Sequence, residues 1–301
     1  MSALPGYYGR PVVKEPVWTP EVAIYFWLGG LAGMSAVLGF ASRVAGRPRL
    51  ARAAILAGFG ALLGCPPLLI ADLGRPERFY NMLRVFKPTS PMSMGSWVLS
   101  AFGAALGAAT VSEVTGWLRP LGRLGELGAA ILGLPLCTYT AVLVADTSVP
   151  VWHEARRHLP FVFAGSASAS AGAAAAILTP AREAGPARRL AVLGAGLELG
   201  AVTLMERALG PMARHYHEGP AATPARLARN LTAGGALLML AFGRRRAGAA
   251  AAGTLILAGS LAERFAVLRA GPPSARATAG GETVKASPAE LGRPPRPGWL
   301  R

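Results

Sequence analysis

Eight stretches of this 301-residue chain are apolar for long enough to span the roughly 30 Å of a bilayer's hydrocarbon, which takes about 20 helical residues. They lie near residues 21–43, 50–71, 95–117, 125–146, 159–179, 188–208, 227–243 and 247–268. Apolar residues make up 52% of the chain and charged ones only 15%, which places it with membrane proteins rather than soluble domains. The expectation is an all-α integral membrane protein with eight transmembrane helices. The first run follows Tyr7, Tyr8, Arg10, Lys14 and Trp18 without a small-residue cleavage site, so it reads as a retained helix and not a signal peptide. From about residue 271 the chain is rich in Pro, Gly, Ala and Arg without periodicity, and residues 271–301 are expected to form a disordered basic tail.

A net charge of +16 raises the question of nucleic acid, but the basic residues are spread through loops and tail rather than gathered in a patch. Charge at the membrane edge accounts for them, and no nucleic-acid partner is expected. The short connections after the first, third, fifth and seventh runs are almost purely basic: Arg43, Arg47, Arg49 and Arg52; Arg119 and Arg123; Arg182, Arg188 and Arg189; Arg244–Arg246. The longer connections opposite carry Asp72, Glu77, Asp146, Glu154 and Glu218 as well. By the positive-inside rule the short basic loops are cytoplasmic and both termini extracytoplasmic, with the cell membrane as the location.

Two cysteines, Cys65 and Cys137, sit in different runs; they are too few for an iron–sulfur cluster or a disulfide framework and read as packing residues. The histidines His153, His158, His215 and His217 all fall in loops, so no pair can sandwich a haem at mid-membrane. "HYH" at 215–217, with only Glu218 beside it, reads as a loop charge cluster before it reads as a metal site.

The connection from Asp72 to Trp97 is elaborate for a tether. Pro76 suits a helix first turn, and Phe79, Met82, Leu83 and Phe86 follow at helical spacing with Arg78, Arg84 and Lys87 off that stripe. A short amphipathic interfacial helix is expected, breaking at Lys87 and Pro88. It serves either as an anchor for the loop or as a docking platform for a soluble subunit through Arg75, Arg78, Phe79, Arg84 and Lys87. Arg75 and Arg78 have a competing structural role as partners of Asp72 and Glu77.

Polar groups inside the runs face protein or water, because lipid excludes them. Glu21 and Tyr25 open the first run one turn apart, Glu113 lies in the third, Tyr139 in the fourth, and Glu198 and Glu206 in the sixth. Glu21, Glu113 and Glu206 are near enough to helix ends to snorkel. Glu198, inside "GLELG", is either a proton-path residue or the partner of a buried arginine or backbone group.

"YFWLGGLAGMSAVLG", "LGRPERFYNMLRVFKPTSPMSMGSW" and "LPLCTYTAVLVADTSVPVW" together resemble the NrfD/polysulfide reductase membrane-subunit family, most specifically through "GRPERF" and "PTSPMSMGSW". The likeness is good over residues 17–150, and is carried beyond by helix number and "GLELGAVTLMERAL". It implies two four-helix bundles, residues 21–150 and 151–270, after an extramembrane segment 1–20. It also implies a quinone-interacting subunit without redox cofactor of its own: no haem, no iron–sulfur cluster, and menaquinone or ubiquinone as exchangeable substrate. Its partners would be a four-cluster iron–sulfur subunit and, through it, a molybdopterin catalytic subunit. Tyr139 matches the family's quinone-site tyrosine, and the family's polar position in the first helix falls at Tyr25, with Glu21 one turn before. Asp72, Glu113, Glu198 and Glu206 are the proton-path candidates, and proton translocation is left open. Two other classes compete. A secondary transporter predicts paired broken helices, of which "CPP" at 65–67 supplies one. A purely structural anchor has no need of hydroxyls converging at one depth.

Overall fold

The computed structural model describes residues 16–279 apart from Val17, Gly74 and Val85; among them the chain is helical without a strand. Lipid cannot hydrogen-bond a backbone, and helices satisfy theirs internally. Eight helices of 20 residues or more carry the fold: α1 (Pro20–Val44), α2 (Pro48–Ala71), α3 (Pro91–Thr115), α4 (Arg119–Ala145), α6 (Leu159–Leu178), α7 (Gly185–Leu209), α9 (Ala222–Phe242) and α10 (Arg246–Ala279). Two short helices, α5 (Pro150–Glu154) and α8 (Arg214–His217), lie in the longer connections. Proline opens α1, α2 and α3, where its missing N–H is no loss, and Gly116 ends α3 in the left-handed conformation at φ 75°.

Six of the eight are long and apolar enough to cross a membrane by length and composition: α1, α2, α3, α4, α6 and α10. The other two are diluted by charge, α7 by Arg188, Arg189, Glu198, Glu206 and Arg207, and α9 by Arg226 and Arg229. Short turns make sequential helices antiparallel neighbours. α1 packs on α2 and α4, and α3 on α4; α6 packs on α7 and α10, and α9 on α7 and α10. The two sets meet where α1 and α4 lie against α6, and α10 against α1. Small residues permit the tightest of these contacts: a Cβ on Gly165 or Gly172 of α6 would strike the α7 backbone.

Four expectations from sequence need correction. The loop helix is a 3-10 helix, Pro76–Leu83; Phe86 lies beyond it and sets its ring edge-on to Trp97 at 6.0 Å. Arg75 and Arg78 form no ion pair with Asp72 or Glu77 among the described residues; all but Asp72 of these four are exposed, and Asp72 accepts a 2.8 Å hydrogen bond from the Thr19 hydroxyl. "CPP" does not break its helix: α2 runs through Pro66 and Pro67 to Ala71. Nor does the tail begin at 271, since α10 continues through Pro272 and Pro273 to Ala279. Ala270, Ser274 and Ala275 are buried there, Gly271 abuts the Trp152 ring, and the Ser274 hydroxyl donates to the Gly271 carbonyl at 2.7 Å. Packing thus outweighs two proline defects. Residues 1–15 and 280–301, most of the proposed N-terminal segment and tail, lie outside the described residues.

Candidate functional site

At the end of the α1–α4 set that faces the loop helix, a small cleft of about 70 Å³ is lined by α1 (Val22, Tyr25, Phe26), α2 (Leu68, Leu69), the start of α3 (Met92, Ser96), α4 (Tyr139, Leu143) and Met82 of the loop helix. Its walls are apolar and its polar groups few, as expected for a site that holds a ring and orients it by a handful of hydrogen bonds. Tyr25 and Tyr139, 114 residues apart in sequence, bring their hydroxyls into hydrogen bond at its inner end. When one hydroxyl donates to the other, the second O–H is left to donate to a carbonyl oxygen, and each oxygen keeps acceptor capacity. Asp72 lines the outer end, steered by Thr19, and Trp18 covers it while stacking on Trp152 at 5.1 Å.

The position of Tyr139 depends on a residue with no side chain. A Cβ on Gly95 would lie inside the Tyr139 ring, so α3 and α4 reach this spacing only with glycine there. Such a dependency has no sequence signature beyond the glycine itself, which in "PMSMGSW" looks like filler.

Leu69, Met82 and Ser96 also line a second, more open groove of about 440 Å³. It runs between α2 and α3 along Phe59, Leu62 and Leu99, roofed by Phe79 and Leu83. Cleft and groove thus share a wall.

The remaining candidates divide by place. Glu21 stands one turn before Tyr25 but outside the cleft lining, its Oε2 buried without a hydrogen-bond partner. Glu113 lies at the far end of α3, where Arg43 bridges it (2.5 Å) to Glu126 (2.8 Å), a pairing that ties α1, α3 and α4 together. Glu206 is held by Arg229 through both oxygens at 2.9 Å, and His217 lies 3.6 Å away. Glu198 is buried between helices and accepts a 3.2 Å hydrogen bond from Ser260. Arg75, Arg78, Phe79, Arg84 and Lys87 are all exposed around the loop helix. Cys65 and Cys137 are buried free thiols, as expected of packing residues. Reading the runs one by one missed Glu126, Glu263 and Arg264, although the adjacent acid and base of "AERF" inside an apolar run was a visible signal.

The model of the NrfD-type family described as polysulfide reductase matches residues 4–276 of the chain. No curated protein matches it.

Proposed function

From the premise that the chain belongs to the polysulfide reductase family of NrfD-type membrane subunits, and so is a multi-pass membrane subunit of a respiratory oxidoreductase complex, we propose that it exchanges electrons with the quinone pool through the Tyr25–Tyr139 cleft. The observation that carries this is the pair of hydroxyls meeting at the closed end of an apolar cleft, opposite an apolar groove that opens between α2 and α3. In this reading the quinone ring sits against the first and its isoprenoid tail along the second. The head group enters laterally under Met82, a tyrosine O–H donates to a quinone oxygen, and on reversal the quinol O–H donates to the tyrosine oxygen. Asp72, at the outer end, takes or supplies the ring's protons to water.

In this reading all eight long helices cross the membrane, as two four-helix bundles, with the termini extracytoplasmic. The exposed Arg75, Arg78, Arg84 and Lys87 with Phe79 form the face on which an iron–sulfur subunit docks, bringing its nearest cluster close to the cleft and linking it to a molybdopterin subunit. Quinone, menaquinone or ubiquinone, is the exchangeable substrate, and the chain contributes no haem or cluster. A transporter is disfavoured by the continuity of α2 through its prolines, and a bare anchor by the converging hydroxyls.

The test is a titration of the purified complex with a menaquinol analogue, followed by fluorescence quenching. Tyr139→Phe is expected to weaken saturable binding by about 1 kcal/mol or more, the scale of one buried hydrogen bond, while leaving assembly intact. Absence of saturable binding to the wild type would return the chain to the class of anchors.

A further inference from the structure

The second set of helices holds charges that the cleft does not use. Ser260, Glu263 and Arg264 share one face of α10 at i, i+3 and i+4, and that face meets Glu198 of α7. Glu198, Glu263 and Arg264 are 2%, 5% and 1% exposed. Arg264 is not within ion-pair distance of either acid; it donates to the Phe163 carbonyl at 3.2 Å and lies over the Phe163 ring at 3.6 Å. Its Nε and Nη1, and the hydroxyl of buried Tyr216, have no hydrogen-bond partner among the described residues. Tyr216 lines a small pocket of about 10 Å³, room for about one water, that Glu198, Glu206, Arg229 and Glu263 also line. Buried polar atoms are satisfied by protein or ordered water, so the unpartnered Tyr216 hydroxyl in a pocket lined by three carboxylates marks a place for a bridging water.

Charge balance says what the site carries. Three carboxylates (Glu198, Glu206, Glu263) face two guanidiniums (Arg229, Arg264), with Cys137, Tyr216 and His217 the other titratable groups around them. Glu206 and Arg229 neutralise each other in a bidentate pair, which leaves two buried acids against one guanidinium. An unbalanced carboxylate in such an interior takes up a proton.

We infer that Glu198 and Glu263 share one exchangeable proton beside Arg264, and that this proton reaches water through the Tyr216 pocket past Glu206 and His217. The exchange is a proton transfer alone: a carboxylic acid gives its proton to pocket water and becomes a carboxylate, and no electron moves. Glu206 lies in the last turn of α7 and Arg229 in the second turn of α9, so the mouth opens toward the face that also carries the cleft. The inference rests on the membrane reading of the chain but not on quinone binding.

The experiment is pH-difference infrared spectroscopy of the complex in vesicles free of quinone. The wild type is expected to show, at neutral pH, the carbonyl band of a buried carboxylic acid, shifted in D2O and by carbon-13 glutamate, and lost reversibly in alkali. Either Glu198→Gln or Glu263→Gln removes the band entirely, because the remaining acid is then balanced by Arg264. Ser260→Ala, which perturbs packing little, shifts it. A wild type without the band overturns the inference by itself, as does a band that survives both glutamine variants or disappears with added sodium instead of alkali. Loss of quinone binding with the band intact overturns only the cleft.

Discussion

Tyr139 is held by its neighbours more than by its own helix, and this gives a substitution that reaches the site without touching its hydroxyls. Gly95→Ala puts a methyl group where the ring now lies, so either the ring turns off Tyr25 or α3 moves away from α4. Overpacking of this kind costs about 1–3 kcal/mol. Quinol-analogue affinity should fall at least as far as in Tyr139→Phe, with the Tyr25–Tyr139 coupling lost, and a double variant Gly95→Ala, Tyr139→Phe should be far from additive. Titration of the four proteins checks this. The tyrosine was legible in sequence because a hydroxyl is conspicuous in an apolar run, and Tyr25 likewise. Gly95 was not, since what it contributes is the absence of a clash with a residue 44 positions away.

At the scale of elements, neither the proline doublets nor the glycines could be read by local rules. Pro66–Pro67 and Pro272–Pro273 each look like helix ends, yet α2 and α10 run through both. A proline removes one intrahelical hydrogen bond, and neighbouring packing, as at Gly271 against Trp152, supplies what a local rule does not see. Small residues spaced along α1 and α4 instead mark where backbones meet: a Cβ on Gly33 would sit 2.6 Å from the Gly133 carbonyl oxygen. Gly133→Ala should therefore lower the thermal midpoint of the detergent-solubilised complex. Gly60→Ala, at an exposed position of α2 where an added Cβ meets nothing, should leave it unchanged or raise it slightly, by the helix preference of Ala over Gly of up to about 1 kcal/mol. Equal loss in both would mean that α1 and α4 are not in backbone contact.

For the whole molecule, the open matter is how α7 and α9 lie. Neither is apolar enough to cross by composition, while α1, α2, α3, α4, α6 and α10 are. Yet two of their acids have partners on neighbouring helices: Glu198 is buried against Ser260, and Glu206 of α7 is paired with the exposed Arg229 of α9. Composition counts each such group as an isolated charge, so it undercounts spans whose polar residues face one another. α7 also lies against α6, and α9 against α10, two helices that do qualify. If all eight cross, the segment from Gly210 to Ala221 lies on the same face as the start of α1; if α7 and α9 do not, it lies on the face of the short basic loops. Both arrangements leave the termini on one side, so terminal reporters cannot separate them. A cysteine at Glu218 can, because Cys65 and Cys137 are buried and silent to a membrane-impermeant thiol reagent. In oriented vesicles Glu218→Cys should react from the side on which a cysteine at Lys87 reacts, opposite to one at Arg245. Labelling from the Arg245 side would reduce the count to six spans and leave the buried carboxylate pair with its mouth on the other face.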